Sequence, residues 1–167
     1  MTATRPAPIR VGAGFTALAP GADPLPVEVV LNVLRAAALL EARFAPVFER
    51  HRLSGNGYAV LESLANHPDP LTPTDLSRRM LTPPQTLTHQ LDRLERAGLV
   101  VRERHPRDRR SVLVTLSATG RELLLAVTRE LIPIDAALLA AVPRPDQAAL
   151  VELLGAVQSA CSQAPEG

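Results

Sequence analysis

The chain is poor in aromatic residues and cysteine, and it has no lysine. Of its 167 residues, 2% are Phe, Trp or Tyr and one is Cys, and all 18 basic residues are Arg. With Cys161 alone, no intrachain disulfide can form, and a thiol switch that needs a resolving partner in the same chain is excluded. Cys161 reads as an ordinary helix residue; an intersubunit disulfide would require the last helices of two copies to cross near a dimer axis. The missing lysine is what GC-rich coding would produce and says nothing of function. No run of roughly 18 apolar residues occurs, and the first residues lack the charged start, apolar stretch and cleavage site of an export signal. A soluble, cytoplasmic protein without membrane partners is therefore expected. His51, His67, His89 and His105 do not stand at metal-ligand spacing with one another or with Cys161. No glycine-rich phosphate loop follows a strand, and no Gly-x-Ser-x-Gly is present. An enzyme is not expected, and neither is a metal or cofactor.

What is present is aliphatic. At 46% hydrophobic content the chain can bury a core, and that core must be filled by Leu, Ala and Val in helices that pack closely. The central stretch from Leu71 to Gly120 carries the most information. In Leu71-Thr72-Pro73-Thr74-Asp75, Thr72 can cap a helix, Pro73 fits the first helical position and Asp75 favours the positive end of the dipole. That helix runs through Met80. Thr82-Pro83-Pro84-Gln85 repeats the device as a Thr-x-x-Gln capping box, and the next periodic run continues to Ala97, where Gly98 stops it.

At about 100° per residue, Leu87, Leu91 and Leu94 share one stripe, and Gln85, His89, Arg93 and Arg96 lie opposite, flanked by Thr86 and Thr88. One face packs, and the other is available to read. Short polar groups near the helix start suit base edges in a major groove, and the later arginines suit phosphates. Leu99 to Glu103 and Ser111 to Leu116 are strand-like runs that bracket His105-Pro106-Arg107-Asp108-Arg109-Arg110. A tip containing proline cannot pair as a strand, so it should project as a wing, and guanidinium groups are drawn to a narrow minor groove. Between Arg78 and Arg110, nine arginines face four acids, a net of +5, in a chain whose total is +1. The remainder is thus acidic, and the concentration of positive charge is the footprint of nucleic-acid binding.

The run Leu91-Asp92-Arg93-Leu94-Glu95-Arg96-Ala97-Gly98-Leu99-Val100, followed by Arg102, by Asp108-Arg109-Arg110 and by Leu116-Ser117-Ala118-Thr119-Gly120, resembles the signature of the multiple-antibiotic-resistance regulator (MarR) family. The resemblance is densest over Leu53 to Leu123 and looser from Val27 to Ser162. It implies a mainly α fold with a small β-hairpin wing, in which a winged helix-turn-helix core is joined by N- and C-terminal dimerisation helices. It also implies a homodimeric repressor or activator tuned by a small molecule or by oxidation. Asp108 would order the wing and Arg110 enter the minor groove, with Arg107 and Arg109 beside it. The base-reading set is then Gln85, Thr86, Thr88 and His89, with Arg93 on phosphate, and the partner is a double-stranded, pseudo-palindromic operator. The family's peroxide-sensing members keep their cysteine in the first helix, unlike Cys161. The family's effector site lies between the dimerisation helices and the DNA-reading lobe. The residues near that junction are Arg43, Phe44, Phe48, His51 and Tyr58, a set suited to a small aromatic or carboxylate effector.

The remainder divides by composition. Residues 1–26, rich in proline and glycine, favour an extended or mobile arm. Helical dimerisation segments are expected over 27–52 and 117–162 around the DNA-binding region 53–116, and 163–167 form a tail. Pro46 and Pro133 should bend their helices. Ser54 begins a helix with Tyr58, Leu61 and Leu64 on its packing stripe, although Gly55 and Gly57 weaken its first turn, a departure from the family pattern. Ser117 caps a long helix with Leu123, Leu124, Val127, Leu131, Ile134, Leu138 and Leu139 on an apolar face, and Pro145 starts the last one. Apolar helices at both ends would leave a monomer with wet hydrophobic surface, which points to an interface between copies. A winged-helix module that binds protein and no specific DNA is the alternative function.

Overall fold

Caps and prolines write the helix starts. In the computed structural model, which describes residues 7–104, 106 and 111–163, the element order is α1 (Ala13–Leu18), α2 (Leu25–Arg50), α3 (Gly55–Ala65), α4 (Pro73–Arg79), α5 (Pro84–Arg96), β1 (Val100–Arg104), β2 (Val112–Leu116), α6 (Ala118–Leu139) and α7 (Arg144–Gln163). The fold is mainly α with one antiparallel hairpin, as the sequence predicts. Two compact units are distinguished, Met1–Pro46 and Val47–Gly167. Among the described residues, no helix is long and apolar enough to cross a membrane.

In the first unit, the stretch read as a mobile arm is, from residue 7 onward, hydrogen bonded to α2. The Ile9 N–H donates to Asn32 Oδ1 at 2.9 Å, and Asn32 Nδ2 donates back to the Ile9 carbonyl at 3.0 Å. Arg10 Nη1 and the Val11 N–H both donate to Glu28, at 2.6 and 3.0 Å. The Arg10 side-chain bond, and then the Val11 backbone bond, hold the Glu28 carboxyl below its ordinary range. These side chains give an extended segment the partners that a neighbouring strand would give it. The helix α2 starts two residues before the expected Val27, because Pro26 is tolerated in a first turn where its missing N–H has no partner to lose.

The second unit holds the core. Val60, Leu61, Leu76, Leu87, Leu91, Val114 and Val127 are essentially without solvent contact. They come from α3, α4, α5, β2 and α6, and α3 is the central column against which the other four pack. The strands pair from Val100 opposite Leu116 to Arg104 opposite Val112. On the other edge of β2, Leu71 forms a bridge with Val114, through N···O distances of 3.2 and 2.8 Å, which pins the entry to α4 against the wing.

Thr72 caps α4 as expected, and Asp75 is its reciprocal partner in a full capping box. Ser54 and Ser117 cap α3 and α6 by accepting from the Gly57 and Gly120 N–H groups. At Gly57 a Cβ would lie 3.0 Å from Leu53 Cδ1 and 3.1 Å from Ser54 Oγ, a tight fit to which those two side chains would have to yield. Gly120 is tighter still, with the carbonyl oxygen of Leu99 only 2.0 Å from where a Cβ would stand. Ser117 adds bonds to the Gly98 and Leu99 carbonyls, which joins the end of α5 to the start of α6.

Candidate nucleic-acid interface

Helix α5 presents its two faces as its periodicity requires. Leu87, Leu91 and Leu94 are buried, and Gln85, Thr86, Thr88, His89, Arg93 and Arg96 are exposed. Its start differs from the expected capping box. Pro83, not Thr82, is the N-cap, and no side chain caps the helix. The physical cause is the proline pair: Pro84 excludes the α region for the residue before it, so Pro83 is held at ψ 139° and the helix cannot begin earlier. Thr82 is then out of reach and donates to the Met80 carbonyl at 3.1 Å. Gln85 is thereby not spent on a cap, and its amide is presented at the exposed first turn. Thr88 donates its hydroxyl proton to the Pro84 carbonyl at 2.8 Å, so only its acceptor side and methyl group can meet a ligand.

The helices around the reading face end in one geometry. At α5, the Leu99 N–H reaches the Leu94 carbonyl and the Gly98 N–H reaches that of Glu95, both at 2.9 Å, with Gly98 at φ +70°. This is a Schellman end. At α4, Thr82 and Leu81 make the same pair of bonds to Ser77 and Arg78, with Leu81 at φ +48° in the glycine position. Ser77 Oγ then donates to the Thr82 carbonyl at 2.6 Å and closes the elbow between the two helices.

Residues outside the expected set also enter this surface. Asp92 lies on the reading face, seven positions after Gln85 and three after His89. From β1, Arg102 Nη2 meets Asp92 Oδ1 at 2.7 Å, and its Nε stands 3.6 Å from Glu95 Oε2. Helical spacing is the signal that could have put Asp92 there, whereas its pairing with a strand residue was not readable. Arg107, Asp108, Arg109 and Arg110 of the wing tip lie outside the described residues.

Of the effector candidates, Phe48 and Tyr58 are brought together, and Tyr58 and His51 each bond to α6. The Phe48 and Tyr58 rings stand 5.6 Å apart, tilted by 40°. The Tyr58 hydroxyl meets Thr128 Oγ1 at 3.2 Å, and His51 Nε2 meets Glu130 Oε1 at 2.7 Å. Arg50 donates to the other oxygen of Glu130. Arg50, and secondly His51, hold the Glu130 carboxyl below its ordinary range. Glu130 and Thr128 escape a reading of sequence because 79 and 70 residues separate them from their partners. Arg43 and Phe44 belong to the Met1–Pro46 unit. Among the described residues, no group of three or more His, Cys, Asp or Glu could hold a metal ion.

Residues 53–111 match the MarR family. An HTH-type transcriptional regulator of Mycobacterium leprae is 39% identical over 102 residues, which cover 61% of this chain and 68% of that protein. PecS, an HTH-type transcriptional regulator of Dickeya dadantii, is 29% identical over 141 residues, 83% of this chain and 85% of PecS. Among solved structures, NadR in complex with 4-hydroxyphenylacetate superposes with a TM-score of 0.69 at 26% identity, over 77% of this chain and 91% of that one. With the winged helix-turn-helix in place and relatives of this similarity, the chain belongs to the MarR family of transcriptional regulators.

Proposed function

We propose that the protein is a dimeric regulator that reads a pseudo-palindromic duplex operator, with an affinity tuned by a small aromatic or carboxylate effector. The observation that carries this reading is the face of α5, where an exposed row of Gln85, Thr86, Thr88, His89 and Arg93 is backed by a fully buried leucine stripe beside a hairpin. A rigid helix of this kind offers base-edge contacts early and phosphate contacts later. Arg107, Arg109 and Arg110, with Asp108 to order them, are assigned to the minor groove and its phosphates on the family resemblance. Apolar side chains left exposed on α2, α6 and α7, among them Leu34, Ile132, Val151 and Leu153, support a second copy as their cover.

The effector reading centres on Phe48, His51 and Tyr58. A phenolic carboxylate, the kind of molecule in the NadR complex, would stack on the two rings. Its carboxylate would compete with Glu130 for Arg50 and His51. Because Glu130 is on α6 and the other groups are on α2, on the turn that follows it and on α3, that exchange would loosen one helix from the others, and the affinity lost for DNA must equal the effector's preference for the loosened form. Arg43 and Phe44 are candidates by sequence position alone.

Footprinting on the promoter of its own gene tests the reading. Two protected half-sites about one helical turn apart, roughly 10 base pairs, with steep salt dependence, are expected. Protection of a single half-site would refute the dimer, and no protection would leave the protein-binding alternative.

A further inference from the structure

A carboxylate in the middle of a face meant for DNA needs an explanation. Asp92 continues the Gln85–His89 row, and Glu95 stands at its edge, so both would repel phosphates if left unpaired. Arg102 reaches them from the base of the wing. Its side chain is 23% exposed, with Nη2 2.7 Å from Asp92 and Nε 3.6 Å from Glu95. The Nε group is fully enclosed and has no hydrogen-bond partner among the described residues. An enclosed guanidinium donor short of a bond is costly, and it persists here because the charge is held between two carboxylates. Among the described arginines between Arg78 and Arg110, Arg102 alone is not exposed, and its ion pairs run to α5. On β1 it stands opposite Val114, the buried residue that also bridges Leu71, so its backbone is fixed to the core while its head group grips the reading helix.

We infer that Arg102 is a positioning residue for operator binding: it latches the base of the wing to α5, fixing the angle between the two DNA-reading elements, and cancels the Asp92 charge on the reading face. The inference rests on the DNA-binding reading above. A latch and a direct phosphate contact predict different outcomes when Asp92 is neutralised.

The test compares wild type, Arg102→Gln, Arg102→Lys, Asp92→Asn and the double variant Arg102→Gln/Asp92→Asn by gel shift and hydroxyl-radical footprinting on the operator, after thermal melts confirm folding. Arg102→Gln should lose at least tenfold in affinity and lose minor-groove protection at the wing while keeping major-groove protection. Adding Asp92→Asn should recover at least threefold of that loss, because the exposed charge is gone, without restoring the wing footprint. Arg102→Lys should lie between wild type and Arg102→Gln, and it keeps the test valid if the glutamine variant does not fold. Wild-type affinity and wing protection in Arg102→Gln would overturn the latch. A double variant as weak as Arg102→Gln would overturn charge cancellation. If wild type itself protects no DNA, the functional reading fails, which is distinguishable from failure of the latch.

Discussion

Helices α5 and α7 are written in the same language and meet different fates. Both are amphipathic, both start with proline in the first turn, and both carry leucines at helical spacing. In α5 the stripe is buried to the last leucine, whereas α7 has no buried residue and leaves Val151 and Leu153 about two-thirds exposed. The difference lies in what the chain supplies to cover them. Around α5 stand α3, α4 and β1; α7 is tied back chiefly by Gln147, whose amide donates to the Leu139 and Val142 carbonyls at the end of α6. Periodicity fixes which face is apolar, but burial depends on a partner that local sequence does not reveal.

The largest effect that sharpens this contrast is a matched pair of truncations. Leu91→Ala empties a site with no solvent contact, and should cost about 2–5 kcal/mol of stability. Leu153→Ala removes the same atoms from a surface and should leave the unfolding free energy of the monomer almost unchanged, while weakening self-association measured by light scattering or sedimentation. Equal losses in monomer stability would show that α7 is buried within one chain.

Gly120→Ala comes next. The new methyl would be driven into the Leu99 carbonyl, which is backbone and is held by Ser117. Overpacking of this kind costs about 1–3 kcal/mol or more. The joint between the recognition helix and α6 should shift with it, lowering both the melting temperature and operator affinity. Gly155→Ala on α7, where the added group would stand in open space beyond its own helix turn among the described residues, is the control and should stabilise slightly. An unchanged melting temperature for Gly120→Ala would mean that the joint relaxes freely.

The two Schellman ends flanking the reading helix predict opposite signs. Gly98→Ala places a side chain at φ +70° with ample space, so strain alone should cost roughly 1–2 kcal/mol. Leu81→Gly relieves the same strain at the exposed elbow, but glycine loses more chain entropy on folding, about 0.5–1 kcal/mol. A net gain on the order of 0.5 kcal/mol is expected. Urea melts resolve both signs, and destabilisation by Leu81→Gly would show that its side chain packs at the elbow.

Much of this was legible because it is local. The Thr72 cap, the Gly98 stop, the leucine stripe of α5 and the hairpin strands follow from residues within a few positions of one another. The start of α5 was misread by one residue because a Thr-x-x-Gln pattern outweighed the steric rule for a residue before proline. The tight fit around Gly57 was not readable because it depends on where the Leu53 and Ser54 side chains point, which spacing does not state. Glu130 and the pairing of Arg102 with Asp92 were invisible because charge pairs between separate elements leave no periodic mark: the candidate set held His51 without Glu130, and neither Asp92 nor Arg102.

The smallest effect concerns Glu130, which ties α6 to Arg50 and His51 of the same unit. Its carboxyl is held below the ordinary range in the folded protein, first by Arg50 and then by His51. The sign follows from linkage: a depressed carboxylate contributes stability above its unfolded pKa and loses it as pH falls through the folded one. The gap in melting temperature between wild type and Glu130→Gln should therefore hold constant through the neutral range. It should then shrink as pH drops below ordinary carboxylate values. Its size should be modest, since Arg50 and Glu130 are both substantially exposed and solvent screens such pairs. If the gap widened on acidification, the carboxylate would not be the species that holds the helices together. Effector competition for Arg50 and His51 would then lose its basis.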